Sequence, residues 1–248
     1  MTTSTTARSI VVVSAGMGDP SSSKLLADRL AQKTLDLLRE RGVEAQVSTI
    51  ELRDLMQEIG TATVSGLIGQ RLRPAVERLA AANGVIAATP VYKAGVSGLF
   101  KSFVDLLDND LLIAKPVAVT ATAGSARHGL VPDEQMRPLF AFMRALVIPT
   151  SLFAAPEDWA DRTLGTRIER AATELAALIR SDVAATIADS SWARYQHEFG
   201  STAQPAGAEA TAAAAADTEF AGIDLDSDLM RLATGGTPAV AGSSQRTA

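Results

Sequence analysis

The chain has 248 residues, 47% of them hydrophobic but only 4% aromatic, and a formal net charge of −5. Mild acidity without a long basic run argues against nucleic acid or an anionic membrane as the main partner. The sequence holds no cysteine, which excludes disulfides, thiolate metal sites, iron–sulfur clusters and cysteine nucleophiles; redox chemistry would need a borrowed cofactor.

The elements alternate along the chain. Ile10–Ser14 reads as a buried strand, apolar until its serine. A helix follows from Ser23 to Arg41, with Leu26, Leu30, Leu37 and Leu38 on or near one face and Gly42 closing it. Ala45–Ile50 is a second strand. A helix over Leu67–Ala82 stops at Asn83-Gly84. Val85–Ala88 is a third strand, and Gly98 starts a helix running to Leu107. Pro116–Ala121 is the fourth strand. Asp133–Leu146 reads as a helix weakened at Pro138. Val147–Phe153 is a fifth strand despite Pro149, which suits an edge position. Leu164–Ile179 is a last amphipathic helix.

Strands separated by helices imply parallel βαβ units covered on both faces. Five of them fit an α/β, doubly wound, flavodoxin-like sheet of order 2-1-3-4-5 with helices on both faces. The expected organisation is a disordered stretch over 1–8 and a folded domain over 9–182. A helical extension and an Ala/Thr/Gly-rich linker follow over 183–219, including the run Ala212–Ala216. A short docking segment and disordered tail occupy 220–248. No apolar run approaches the ~20 residues of a membrane helix, and the N-terminal stretch lacks a secretory pattern; a cytoplasmic protein is expected. His128 and His197 are too few for a histidine metal site, and no metal is expected.

In an open parallel sheet, ligands bind beyond the carboxyl ends of the strands. Three loops leave such ends with unusual composition. The first, Ser14-Ala-Gly-Met-Gly-Asp-Pro-Ser-Ser-Ser23, joins close-approach glycines to three hydroxyls at a helix N-terminus, where amide N–H groups and the helix dipole favour an anion. The same serines would also serve as helix caps. The loop is neither a dinucleotide glycine fingerprint nor a Walker loop. The second, Thr89-Pro-Val-Tyr-Lys-Ala-Gly-Val-Ser-Gly-Leu-Phe-Lys101, offers a flat wall of small residues with Tyr92 placed to cover a planar ring. The third, Thr120-Ala-Thr-Ala-Gly-Ser-Ala-Arg-His-Gly129, is again small and polar. Asp105, Asp108 and Asp110 sit at and beyond a helix end and read as solvated surface.

These loops resemble those of the NADPH-dependent FMN reductase family, which has a flavodoxin-like fold and includes the reductase partners of two-component flavin monooxygenases. Thr89-Pro-Val-Tyr-Lys-Ala, then Ser97-Gly98 and Lys101, match its isoalloxazine loop; Pro20–Ser23 resembles its phosphate loop, and Gly124-Ser125 its third loop. Residues 15–19 and Ala123 depart from the family's usual forms. The resemblance covers roughly residues 9–180.

The resemblance implies that Ser14, Ser21, Ser22 and Ser23 hold the FMN phosphate, with the Ser23 hydroxyl pointing at it. Pro90, Val91, Tyr92, Lys93 and Ala94 would line the ring, and Gly124, Ser125 and His128 its other edge or the nicotinamide. It implies NADPH, or NADH, as the reductant, no catalytic acid or base, a homodimer or homotetramer, and a flavin-dependent monooxygenase as partner. Three readings compete: a quinone or azo reductase that keeps its FMN, a non-enzymatic flavodoxin-like electron carrier, and a regulatory α/β module without flavin.

Overall fold

A computed structural model of the chain describes residues 7–187. The linker and docking segment expected in the tail, and nearly all of the expected N-terminal stretch, lie outside them.

β1 (Arg8–Ser14) leads into α1 (Ser22–Glu40), and β2 (Ala45–Glu51) pairs in parallel with β1. After a 3-10 turn come α2 (Met56–Ser65) and α3 (Leu72–Ala81), then β3 (Gly84–Tyr92), which pairs with the other side of β1. β4 (Gly95–Val96) folds back antiparallel on β3 before α4 (Gly98–Asp105). β5 (Pro116–Thr122) pairs with β3. A π-helical turn, Pro132–Met136, runs into α5 (Arg137–Phe142). β6 (Leu146–Val147) and β7 (Leu152–Ala154) both add in parallel to β5, and α6 (Arg162–Arg180) and α7 (Val183–Ile187) follow. The sheet order β2-β1-β3-β5-β6 is the expected doubly wound order, with β7 continuing the fifth position and β4 an antiparallel addition.

Alternation along the central strands divides the core. Ile10, Val12, Ile86 and Ala118 pack with Leu26 and Leu30 of α1 and Leu175 and Ile179 of α6. Val11, Val13, Val85, Val117 and Val119 face Leu72 and Leu79 of α3, Phe100 and Phe103 of α4, and Phe140 of α5. Successive strand residues point to opposite faces, so unbroken apolar runs are what a sheet covered on both sides requires.

Three expected elements change. The helix expected over Leu67–Ala82 starts only at Leu72, and α2 precedes it. Glu58 of α2 accepts from the backbone N–H of Arg71 at 3.0 Å and of Leu72 at 2.9 Å, so α3 is capped by a side chain distant in sequence. Gly60, Thr61 and Thr63 give α2 weak helix propensity; burial of Ile59 and Ala62 holds it. The helix expected over Asp133–Leu146 is a π turn plus a short helix, with Pro138 in the first turn of α5 where its missing N–H costs nothing. The fifth strand breaks at Pro149. Arg137 donates to the carbonyls of Ile148 (2.9 Å) and Pro149 (3.0 Å), and Glu174 accepts from Thr150 N at 2.8 Å, so side chains replace the lost ladder bonds. Among the described residues no helix is long and apolar enough to cross a membrane.

Candidate functional site

The carboxyl ends of β1, β3, β5 and β7 converge on one cleft of about 540 Å³. The turn after β1 forms one wall through Gly16, Gly18 and Ser21–Ser23; Pro90, Val91 and Tyr92 form the opposite wall. Thr122, Ala123 and Gly124 make the floor, and Ala154, Pro156 and Trp159 close the far side.

The first wall is built by close approach. A Cβ on Gly16 would stand 1.8 Å from the Ser21 Oγ, so only glycine lets the turn fold this tightly. Ser21 is the N-cap of α1, its Oγ accepting from Lys24 N at 3.2 Å. The N–H groups of Ser22 and Ser23 lie in the first turn, where helices have no internal acceptor for them. Ser22 is exposed. Ser23 is only 2% exposed, and its hydroxyl meets Thr122 Oγ1 of the cleft floor at 2.6 Å. Ser14 is buried below, its Oγ accepting from Gly16 N at 3.4 Å. Arg53 donates to Gly18 O at 3.2 Å and pairs with Glu51 at 3.0 Å. Lys24 pairs with Asp28 at 2.7 Å. An anion here would therefore meet amide N–H groups and hydroxyls, with Lys24 and Arg53 already paired to carboxylates.

The second wall is a β-hairpin, not a plain loop. Val91 pairs with Val96 and Tyr92 with Gly95, leaving Lys93 and Ala94 as a two-residue turn at φ 51° and 63°. Positive φ at both turn residues is the type I′ signature that Asn-Gly satisfies without strain. At the hairpin base the buried Thr89 Oγ1 accepts from Ser97 N at 3.0 Å, and Ser97 caps α4 by accepting from Phe100 N at 3.2 Å. Tyr92 is 51% exposed on the cleft side.

Of the residues singled out from the sequence, Ser21, Ser22, Ser23, Pro90, Val91, Tyr92 and Gly124 line this cleft. Ser14 lies beneath it, and Lys93 and Ala94 form the hairpin tip beside it. Ser125 caps a one-turn helix, Ala126–His128, its Oγ accepting from Arg127 N at 3.3 Å; with His128 it sits past the cleft floor. Asp105 is exposed and pairs with Lys101, whereas Asp110 is drawn into an ion pair with Arg144 at 2.5 Å and is not simply solvated. Among the described residues no cluster of three His, Asp or Glu side chains could hold a metal. Sequence reasoning missed Thr122, which stood inside the third loop, and Trp159. The available signal for Trp159 was an aromatic residue just past the fifth strand, at the edge where ligands bind.

A doubly wound parallel sheet with a serine-rich strand-to-helix turn facing a hairpin wall at its carboxyl edge defines a protein of the flavodoxin-like fold. The profile of the NADPH-dependent FMN reductase family matches residues 8–160, and the chain belongs to that family. It is thereby an oxidoreductase of the NAD(P)H-dependent FMN reductase class. The chain is 33% identical over 168 residues to the NADH-dependent FMN reductase SfnF of Pseudomonas fluorescens, covering 68% of this chain and 87% of that one. It is 32% identical to an FMN reductase (NADPH) of Pseudomonas aeruginosa, covering 68% and 88%. Among solved structures, an oxidoreductase from Corynebacterium diphtheriae superposes with a TM-score of 0.69 at 43% identity, covering 71% of this chain and 98% of that one.

Proposed function

We propose that this protein reduces FMN with NAD(P)H and releases the reduced flavin to a flavin-dependent monooxygenase. The observation that carries the reading is the single cleft whose two walls are a helix N-terminus rich in hydroxyls and a hairpin of small residues with Tyr92 at its edge. The donor set suits the group. A phosphate needs several N–H and O–H donors at close range, which the Gly16 turn permits, and a flat ring needs a low wall.

In this reading the N–H groups of Ser22 and Ser23 and the Ser22 hydroxyl hold the phosphate, with Ser21 and Ser14 shaping the turn. Pro90 to Ala94 line the ring, and Gly124, Ser125 and His128 face its other edge or the nicotinamide. Bound flavin would supply the hydride-accepting centre, and these residues would hold it where a nicotinamide can approach. The chain contributes position and exclusion of water, and no side chain acts as acid or base. The relatives named for NADH and for NADPH match this chain about equally, and either nicotinamide serves as substrate in the proposal. A cytoplasmic homodimer or homotetramer completes it. The segment after Gly200 is proposed to be dispensable for the reaction.

The test is a visible spectrum of the purified protein followed by NADH and NADPH oxidation with and without added FMN. Colourless protein whose turnover depends on added FMN is the expected result. Yellow protein that turns over only with a quinone or azo acceptor would replace this reading with a flavin-retaining reductase. Yellow protein with no NAD(P)H oxidation would make it an electron carrier.

A further inference from the structure

The tip of the hairpin wall holds two non-glycine residues, Lys93 and Ala94, in left-handed backbone geometry. Such residues stay there only when their surroundings over-determine them. The determinant comes from elsewhere in the chain. Gln135 Nε2 donates to Ala94 O at 2.9 Å, and Gln135 Oε1 accepts from Val96 N at 3.1 Å. One amide thus clasps the hairpin on both sides of Gly95. A Cβ on Gly95 would come within 3.3 Å of that same Oε1, so the glycine makes room for the clasp. Among the described residues no other side chain bonds the backbone of Tyr92–Val96.

Gln135 is exposed, but the turn that carries it is anchored. It lies on the π turn Pro132–Met136, whose end residues Pro132 and Met136 are buried. Asp133 pairs with Arg137 at 3.0 Å, and Arg137 reaches the Ile148 and Pro149 carbonyls. A π turn takes in one more residue than an α turn and so changes which side chain points sideways at this place. The clasp therefore links the interrupted fifth strand, through Arg137 and the π turn, to the hairpin.

We infer that Gln135 is a positioning residue: it holds the Lys93–Ala94 hairpin in the strained geometry that presents the ring wall, and so sets affinity for the isoalloxazine part of the flavin. The inference rests on the reading of the cleft as the flavin site. Gln135 itself touches no substrate. It acts on the ring and not on the phosphate, so loss of the clasp weakens FMN and riboflavin alike.

The test compares wild type, Gln135→Met, the double variant Lys93→Asn/Ala94→Gly, and the triple variant combining all three changes. Asn-Gly encodes a type I′ turn by itself, so it should make the clasp redundant. Two readouts are taken: hydrogen exchange at the Val96 amide, which needs no flavin, and titration with FMN and riboflavin. The expected result is faster Val96 exchange in Gln135→Met, with both flavins binding at least threefold more weakly. In the Asn-Gly background, adding Gln135→Met should change either affinity by less than threefold. Unchanged Val96 exchange, a loss under threefold in the single variant, or an equal loss in both backgrounds overturns the inference. Wild-type protein with a protected Val96 amide that binds neither flavin overturns the flavin-site reading, and this inference with it.

Discussion

The hydroxyls of Ser23 and Thr122 meet at 2.6 Å, both buried, and join the first turn of α1 to the last residue of β5. The turn after β1 and the cleft floor are thereby joined. Thr122→Val leaves the Ser23 hydroxyl without its partner. An unsatisfied buried hydroxyl typically costs about 1–3 kcal/mol. Removing both hydroxyls in Ser23→Ala/Thr122→Val should cost less than the sum of the single losses. Urea unfolding of the three variants checks this; strict additivity would mean the two groups act independently.

Ser22 should separate phosphate binding from ring binding. Its side chain is exposed at the cleft with only a long 3.4 Å contact to Thr122 Oγ1, while Ser21 caps the helix and Ser23 bonds Thr122 at 2.6 Å. A hydrogen bond to a charged group is worth about 1.5–3 kcal/mol, so Ser22→Ala is expected to weaken FMN by roughly 10- to 100-fold. Riboflavin, lacking the phosphate, should change little. Equal losses for the two flavins in a titration would move the phosphate away from Ser22.

Gly16→Ala is expected to open the turn. The new Cβ would overlap the Ser21 Oγ at 1.8 Å, so the serine must leave its capping geometry. Loss of an N-cap costs about 1 kcal/mol, and the displaced turn should lower FMN affinity at least about tenfold, since roughly 1.4 kcal/mol is a factor of ten. A variant with wild-type melting temperature and wild-type FMN affinity would show that the turn tolerates the methyl.

Lys115 gives a pH signature remote from the cleft. Its Nζ donates to the carbonyls of Ala80 at 2.9 Å and Ala82 at 2.5 Å, closing the end of α3. Burial pushes its pKa down from 10.5 to about 8. The unfolded chain therefore binds more protons than the folded one between these values, and stability rises with pH across that window. Below about pH 8 the lysine is charged in both states and its cost is constant. The unfolding free energy of wild type minus that of Lys115→Met should climb by on the order of 1–3 kcal/mol from roughly pH 8 to 10.5. A difference that stays flat over this range would contradict the buried, unpaired charge.

Trp159 lines the cleft under the Arg29 guanidinium, which lies 5.1 Å from the ring centroid. Flavin entering the cleft should quench its emission. The chain has one other tryptophan, Trp192, outside the described residues. Titrating FMN into wild type and Trp159→Phe isolates the contribution; quenching of the same size in both would place the flavin away from this wall.

The sequence by itself determined the layered architecture and which loops gather at one edge of the sheet. Unbroken apolar runs such as Ile10–Val13 and Val85–Ala88 suit only strands buried on both faces, and the intervening amphipathic helices force parallel connections. The glycine, serine and proline content of the turns after β1 and β3 marked the carboxyl edge because those residue types have local conformational meaning. Tertiary structure decided the rest, where a group's partner is remote in sequence. Glu58 starts α3 from another helix, and Arg137 and Glu174 satisfy the broken fifth strand. The buried Ser23 hydroxyl finds its partner in Thr122, 99 positions away. Lys93 and Ala94 disfavour the hairpin they form, and among the described residues Gln135, 41 positions beyond Ala94, is the side chain that clasps it. Local propensity spans a few tenths of a kcal/mol per residue up to about 1, and one buried hydrogen bond is of the same size. A single long-range contact is therefore enough to reverse what the local sequence prefers.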